Sequence, residues 1–135
     1  MGQQLDLMSA SCKLENFDMK RYSQIVQYKT CYYSFYLPVQ LGMTLADVKD
    51  PELYRQARSI LLDMGHLFQI QDDYLDCFGD PKVTGKIGTD IQDRKCSWLI
   101  VQAMEKANLH QKQILNVSFY FSTSFSAHEY VSSNF

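Results

Sequence analysis

The sequence predicts an all-α fold. Apolar and aromatic residues recur at three- and four-residue spacing over two long segments, which is the period of a helix with one buried face. The period-two alternation of a half-buried strand is missing before residue 116. With 135 residues, of which 46% are hydrophobic, the chain is large enough for a single domain with a buried core.

Local signals place the ends of the two long helices. The first is predicted to open at Asp18 and to bend or end near Pro38, because proline disrupts a helix interior. The second is predicted to begin after Asp50 with Pro51 at its first position, where the missing N–H costs nothing. Both helices carry enough apolar residues to pack on a core.

A loop and a third helix are predicted to follow. Gly79 and Pro81 end the second helix, and the three glycines of residues 79–89, "GDPKVTGKIGT", predict a loop. Thr89 or Asp90 is then expected to cap a third helix. The loop does not match GxxxxGK[ST], because its glycine spacing is one residue too long and an isoleucine replaces the hydroxyl residue, which excludes an ATPase of that type.

The last segment differs from the rest of the chain. Residues 116–135, "NVSFYFSTSFSAHEYVSSNF", hold six serines, six aromatic residues and one acidic residue. Val117, Phe119 and Phe121 stand at period two, which does not continue a helix. We therefore expect a helical part over residues 1–115 and a disordered or weakly packed tail over residues 116–135.

The composition of the chain limits the classes of partner that we expect it to bind and the cellular location that we expect for it. A net charge of −2, with both signs mixed along the chain, provides no basic stripe for nucleic acid. No segment reaches the roughly 18 apolar residues of a membrane span, and the start of the chain has no signal-peptide pattern. The four cysteines are widely spaced and form no zinc motif. We expect a reduced, cytoplasmic protein whose partners are small molecules or protein, without nucleic acid or membrane.

Three aspartates crowd the end of the second helix in "FQIQDDYLD", residues 68–76. Asp72 and Asp76 share a helix face, where like charges destabilise by roughly 0.2–0.5 kcal/mol, and the helix dipole at this end is also unfavourable to them. Asp73 adds to the repulsion. A bound cation such as Mg²⁺ would reverse this balance. The alternative, left open by the spacing alone, is a solvated acidic face.

Basic residues around the following loop favour the cation. Gln69 lies on the stripe of Asp72, while Lys86 and Lys95 follow in the loop and beyond it. A magnesium diphosphate has the complementary pattern, with metal between carboxylates and phosphates and lysines on the remaining oxygens. The alternatives are that Lys86 only solvates its loop, and that Lys95 pairs with Asp93 or Asp90.

Three stretches together resemble one enzyme family. Residues 68–99 are similar to the second aspartate-rich region of the farnesyl diphosphate synthases, which are trans-prenyltransferases. "YKTCYYSFYLP" (28–38) resembles the Lys-Thr helix of that family, and "GQQLDL" (2–7) resembles its GQxLDL helix. The resemblance covers about residues 2–115 and implies part of an isoprenoid-synthase-type helical bundle, with residues 116–135 outside the family pattern.

The resemblance also implies a site. Mg²⁺ would be held by Asp72, with Asp73 and Asp76 completing the motif and Asp90 further out. The diphosphate of an allylic substrate would bind the lysines Lys29, Lys86 and Lys95. Thr30 and the Lys29 carbonyl would face the allylic cation as catalytic groups. The remaining cavity residues would be Gln69, Gln3 and Asp6.

The implied reaction joins isopentenyl diphosphate to the allylic diphosphate with loss of a proton. The family also has a first aspartate-rich motif, which faces the second, and an isopentenyl diphosphate site, and neither is found in this sequence. We therefore expect a truncated or mis-spliced chain that is inactive alone, from a family in which homodimers are usual. Two other functions stay open: a non-catalytic module that binds Mg²⁺ and diphosphate, and a purely structural helical protein.

Overall fold

The computed structural model describes residues 2–121, with side chains through residue 119, and contains no strand over that range. The predicted all-α fold is confirmed. Between the helices α1 and α2 lies one 3₁₀ turn, Leu14–Asn16, and a π-helical segment, Gln27–Tyr36, joins α2 to α3. The α-helices are α1 Gly2–Ala10, α2 Met19–Val26, α3 Leu37–Leu45, α4 Pro51–Phe78, α5 Pro81–Thr84, α6 Trp98–Lys106 and α7 Leu109–Phe121. None of these helices is both long and apolar enough to cross a membrane.

The first predicted helix is a composite of α2, the π-helical segment and α3. Asp18 caps it as predicted, because its carboxylate accepts a hydrogen bond of 2.7 Å from the Arg21 N–H. The helix continues past Pro38, so the predicted end there is wrong. Pro38 falls in the first turn of α3, where the hydrogen-bond register changes, and proline is tolerated at such a position. The π-helical segment between α2 and α3 carries two of the predicted site residues, Lys29 and Thr30.

The bounds predicted for the second helix agree with α4. The Asp50 carboxylate accepts a hydrogen bond from the Glu52 N–H at 2.8 Å, and Pro51 is the first helical residue. Phe78 is the last, since the Gly79 N–H closes the final turn on the Leu75 carbonyl at 2.9 Å. This helix lies along the π-helical segment, which is its most extensive neighbour.

The region after α4 departs from the prediction at two points. Within the predicted loop, α5 forms one helical turn because the Asp80 carboxylate caps the Lys82 N–H. The third helix, α6, starts at Trp98 rather than at Thr89 or Asp90. Asp90 cannot serve as the cap, since its N–H and its carboxylate are both bound to other groups. The chain between Asp90 and Trp98 forms a turn instead.

The predicted end of helical structure at residue 116 is also wrong. Helix α7 continues through residues 116–121. Leu115 and Phe119 are four residues apart and therefore share one face of α7, and both are buried in the core. The Phe119 ring meets Phe17 edge to face at a centroid distance of 5.6 Å. The rest of the predicted tail, residues 122–135, lies outside the described part of the chain.

The core lies at one end of the molecule, where α2, α6, α7 and the turn before α2 meet. Tyr22 and Val26 of α2 are almost completely buried there against Val101 of α6. Helix α3 has no buried residue, and Leu45 at its end is 89% exposed. The two long helices therefore extend from a packed end to an exposed one.

Replacing Phe119 by alanine tests whether α7 belongs to the core. We expect the free energy of unfolding to fall by about 3 kcal/mol, because a buried aromatic ring is lost and a cavity remains. Urea unfolding followed by circular dichroism measures this change. Val117→Ala, an exposed position of the same helix, should change stability by less than about 0.5 kcal/mol. Equal effects at the two positions would contradict the burial of Phe119.

Candidate functional site

A polar cavity lies where α1, the π-helical segment, the last turns of α4 and the chain before α6 meet. Its volume is about 80 Å³. With α2, which also contributes to the lining, five elements form its walls, so that the cavity exists only in the folded chain. Its charged and polar lining includes Asp6, Lys29, Thr30, Gln69, Asp72, Asp73, Asp90 and Lys95.

A hydrogen-bond chain crosses from the π-helical segment to α4. The Thr30 hydroxyl donates to Gln69 Oε1 at 2.8 Å. The Gln69 amide then donates to Asp73 Oδ1 at 3.0 Å and to Asp72 Oδ2 at 3.3 Å. Gln69 therefore orients a hydroxyl on one side and two carboxylates on the other.

Asp73 points into the protein rather than into the open cleft. It is 4% exposed, and its second oxygen accepts a 2.7 Å hydrogen bond from the Trp98 N–H at the start of α6. Burial raises the pKa of Asp73 to about 6, although the hydrogen bonds from Trp98 and Gln69 oppose this shift. One oxygen of Asp73 thus joins α4 to α6, and the other is held by Gln69 of the same helix.

The Tyr22 hydroxyl also lines this cavity from α2, which the sequence did not predict. It is buried beside Asp73 and makes no hydrogen bond of good geometry. Burial, followed by the charge of Asp73, raises the pKa of this phenol. An aromatic residue on an apolar helix stripe gives no signal in the sequence that its hydroxyl reaches a polar cavity.

Lys86 lies at the mouth of the cleft between two aspartates. Its ammonium is 3.1 Å from Asp72 Oδ1 and 3.7 Å from Asp76 Oδ1. The hydrogen bond to Asp72 is the main cause that raises the pKa of Lys86. The side chain therefore does more than solvate its loop.

The loop that carries Lys86 is held against the end of α4. The Asp90 N–H donates to Asp76 Oδ2 at 2.9 Å. At Gly88 the backbone passes so close to α4 that an added Cβ would lie 1.7 Å from the Asp76 carbonyl oxygen. A glycine is required there for the loop to reach the aspartates.

The other two predicted lysines each have a carboxylate partner inside the cleft. Lys29 forms an ion pair with Asp6 of α1 at 2.6 Å. Lys95 pairs with Asp90 at 2.8 Å and is 3.9 Å from Asp93, so Asp90 is its main partner. Burial raises the pKa of the Asp90 carboxyl, and the hydrogen bond from Lys95 opposes this shift.

The structure brings together ten of the eleven predicted site residues. Gln3 is the exception, because it is exposed on α1 and does not line the cavity. Over the described residues, no three carboxylate, histidine or cysteine side chains converge closely enough to form a metal site by themselves. Among the predicted aspartates, Asp73 is buried, whereas Asp72 and Asp76 share the Lys86 ammonium at the mouth of the cleft. The Asp72 side chain is the most exposed of the four, at 42%, compared with 10% for Asp76 and 15% for Asp90.

The fold and the site define a helical protein that brings carboxylates, lysines and a threonine to one cleft. A family model described as polyprenyl synthetase matches residues 1–130. The chain belongs to this family. The predicted resemblance to the farnesyl diphosphate synthases is thereby confirmed, and the match includes part of the segment after residue 115, whose assignment as a separate tail stays a prediction.

Individual relatives agree with the family. The chain is similar to the farnesyl pyrophosphate synthase of Gallus gallus, with 53% identity over 85% of this chain and 32% of the relative. For the Homo sapiens enzyme the identity is 54%, over 88% of this chain and 29% of the relative. The unliganded T. brucei FPPS structure superposes with a TM-score of 0.86 at 36% identity, covering 98% of this chain and 40% of that one. The chain thus spans about a third of the length of these curated relatives.

The buried carboxyl of Asp73 predicts a specific pH dependence of stability. Its pKa is about 6 in the folded protein and 3.8 ordinarily, so the folded state holds the proton more tightly. Stability from this group is therefore fully present below pH 3.8 and is lost as the pH rises through 6. Relative to Asp73→Asn, wild type should lose up to about 3 kcal/mol across this window. Urea unfolding at a series of pH values measures the difference.

The matched control for this experiment is Asp63→Asn, which changes an exposed aspartate of the same helix. Its stability relative to wild type should stay constant over the same pH range. A pH-independent difference between wild type and Asp73→Asn would show that Asp73 does not hold its proton in the folded state.

Proposed function

We propose that this chain supplies the diphosphate-binding wall of a prenyltransferase that joins isopentenyl diphosphate to an allylic diphosphate. The observation that carries the proposal is the grouping of Lys29, Lys86 and Lys95 with the two aspartates at the mouth of the cleft. The relatives are named farnesyl pyrophosphate synthases, which supports this substrate class.

The residues at the mouth of the cleft fit Mg²⁺. Asp72 and Asp76 already share one cation, the Lys86 ammonium, between their Oδ1 atoms. Magnesium typically binds one or two carboxylates together with substrate phosphates, and this pair meets that requirement. Asp72 and Asp76 would hold the ion, which would neutralise the charge that develops on the leaving diphosphate. Asp73 would support the site by binding the Trp98 N–H at the start of α6, and Asp90 would support it by holding the Lys95 ammonium.

The lysines would hold the remaining phosphate oxygens. An ammonium is a compact charge with three donors, so it can bind a phosphate oxygen while still contacting a carboxylate. Lys29 and Lys95 both line the cavity, and each forms an ion pair there, with Asp6 and Asp90 respectively. The allylic diphosphate would thus be oriented before its carbon–oxygen bond breaks.

Thr30 and Gln69 would lie beside the allylic carbon. The Thr30 hydroxyl donates a hydrogen bond to Gln69 Oε1, which leaves the lone pairs of the hydroxyl oxygen available to stabilise positive charge. The neighbouring rings of Phe35 and Phe68, at a centroid distance of 5.5 Å, would border the apolar part of the substrate. Apolar surroundings exclude water, so that a carbocation is attacked by the second substrate rather than hydrolysed.

Three further predictions accompany this function. We expect the homodimer that is usual in the family, a cytoplasmic location, and no nucleic acid or membrane partner. Two alternatives are a non-catalytic module that binds Mg²⁺ and diphosphate, and a purely structural protein. Diphosphate binding that depends on Mg²⁺ would exclude the structural protein, and turnover would exclude the non-catalytic module.

Magnesium and inorganic diphosphate should bind together. Calorimetric titration of diphosphate into the chain should show binding with Mg²⁺ and a loss of at least about tenfold in affinity in EDTA, because metal and lysines neutralise different oxygens. Asp72→Ala should abolish the dependence on metal. Asp93→Ala, which removes a neighbouring carboxylate 3.9 Å from Lys95, should preserve it. Equal binding in EDTA would exclude the proposed metal site.

The chain alone is expected to form no product from dimethylallyl and isopentenyl diphosphates. A radiolabelled condensation assay measures this directly, with the double variant Lys29→Ala, Asp72→Ala as the background. Product well above that background would contradict the expected inactivity and would exclude both the non-catalytic module and the structural protein.

A further inference from the structure

We propose that Lys86 is the exchangeable counter-ion of the carboxylate pair: it neutralises Asp72 and Asp76 before ligands bind, and it moves to the diphosphate when Mg²⁺ takes its place. This inference rests on the proposed function and deepens it. It assigns to one side chain the coupling between metal and diphosphate binding.

The two aspartates present matching atoms to one cation. Asp72 Oδ2 is held by the Gln69 amide and Asp76 Oδ2 by the Asp90 N–H. The other oxygen of each, Oδ1, is directed to the Lys86 ammonium at 3.1 and 3.7 Å. Each carboxylate thus uses one oxygen to fix its orientation and keeps one for a cation that can be replaced.

The backbone around Lys86 is fixed, so an exchange requires movement of the side chain only. The Thr84 hydroxyl donates to the Lys86 carbonyl at 3.0 Å. Two residues later Gly88 is packed on the backbone of Asp76, and the Asp90 N–H is bound to the carboxylate of the same residue. The loop stays on α4 while the lysine, whose side chain is 48% exposed, can change its partner in contact with water.

Lys86 differs from Lys29 and Lys95 in the carboxylates with which it pairs. The carboxylates that pair with those lysines are Asp6 and Asp90, which make no ion pair with Lys86. A metal at the mouth of the cleft would leave these two ion pairs intact. Asp72, which is 42% exposed, is the carboxylate that an incoming ion reaches first.

The exchange makes the two ligands depend on each other. Mg²⁺ alone must displace the ammonium without offering it a new partner. Diphosphate alone must attract a lysine that is already paired, toward a site with two carboxylates of its own sign. When both bind, each charge finds a partner, and the coupling is positive in both directions.

Titration of Mg²⁺ alone into Lys86→Gln tests the exchange. Removing the competing ammonium should strengthen metal binding about threefold relative to wild type, and diphosphate in saturating Mg²⁺ should bind at least about tenfold more weakly. The control is Lys82→Gln, which changes the same charge in the same loop without an ion pair among the described residues. It should resemble wild type in both titrations. Lys86→Ala serves as a second variant with the same expected result, and circular dichroism checks that each variant is folded.

The outcomes separate the inference from the proposed function. If wild type binds metal and diphosphate together but Lys86→Gln binds Mg²⁺ no more tightly than Lys82→Gln does, the exchange is overturned and the proposed function stands. If wild type binds no diphosphate with metal present, the proposed function fails and the inference falls with it. The exchange is supported only if Lys86→Gln and Lys86→Ala both bind Mg²⁺ more tightly than wild type and Lys82→Gln does not.

Discussion

The close packing of α4 on the π-helical segment is the constraint on which the site depends. At Gly65 the two helices approach so closely that an added Cβ would lie 2.7 Å from the Cys31 sulfur. One turn further along α4, this approach brings Gln69 within hydrogen-bond distance of Thr30. A larger residue at position 65 would force the helices apart and break the only side-chain bond described between Thr30 and α4. The π-helical turns matter for the same reason, since they direct Lys29 and Thr30 to the cleft.

Charge is the second constraint, and it is met by pairing every described acid of the cleft with a donor. The end of a helix is an unfavourable place for carboxylates, because the helix dipole is negative there. The structure compensates with two kinds of group. Backbone N–H groups of Trp98 and Asp90 bind Asp73 and Asp76 on the buried side, and Lys86 binds on the open side. The backbone N–H groups at this end of α4 are fixed dipoles, whereas Lys86 is a flexible cation, and the proposed exchange therefore assigns the change of partner to Lys86.

Local signals in the sequence were sufficient where local contacts decide the structure. Asp50 and Pro51 mark the start of α4 correctly because capping involves only the next few residues. Thr89 and Asp90 carry the same kind of signal, yet they fail to start a helix, since Asp90 is bound by Asp76 and Lys95 instead. The prediction for the segment around Phe119 is wrong for a similar reason, because the burial of this ring depends on its contact with Phe17, which is distant in sequence.

The candidate site shows the same division. The four-residue spacing of Asp72 and Asp76 places them on one face, and the cation between them follows from that spacing. The pairing of Lys29 with Asp6 has no local signal, because it depends on how α1 crosses the π-helical segment. For these residues the resemblance to a family indicated the site before any contact was visible. Tyr22 lies in no motif used for that resemblance, and its place beside Asp73 required the structure.

The position of the site within the fold connects its two properties, rigidity and exchange. Asp73 and Tyr22 are buried beside the core of α2, α6 and α7. The loop of Lys86 is anchored by a few hydrogen bonds, and its side chain is about half exposed. Groups that must keep their geometry therefore stand against the packed end, where movement would open cavities. Lys86, the cation that changes partners in the proposed exchange, is exposed enough to move without disturbing this packing, so the exchange requires no unfolding of the core.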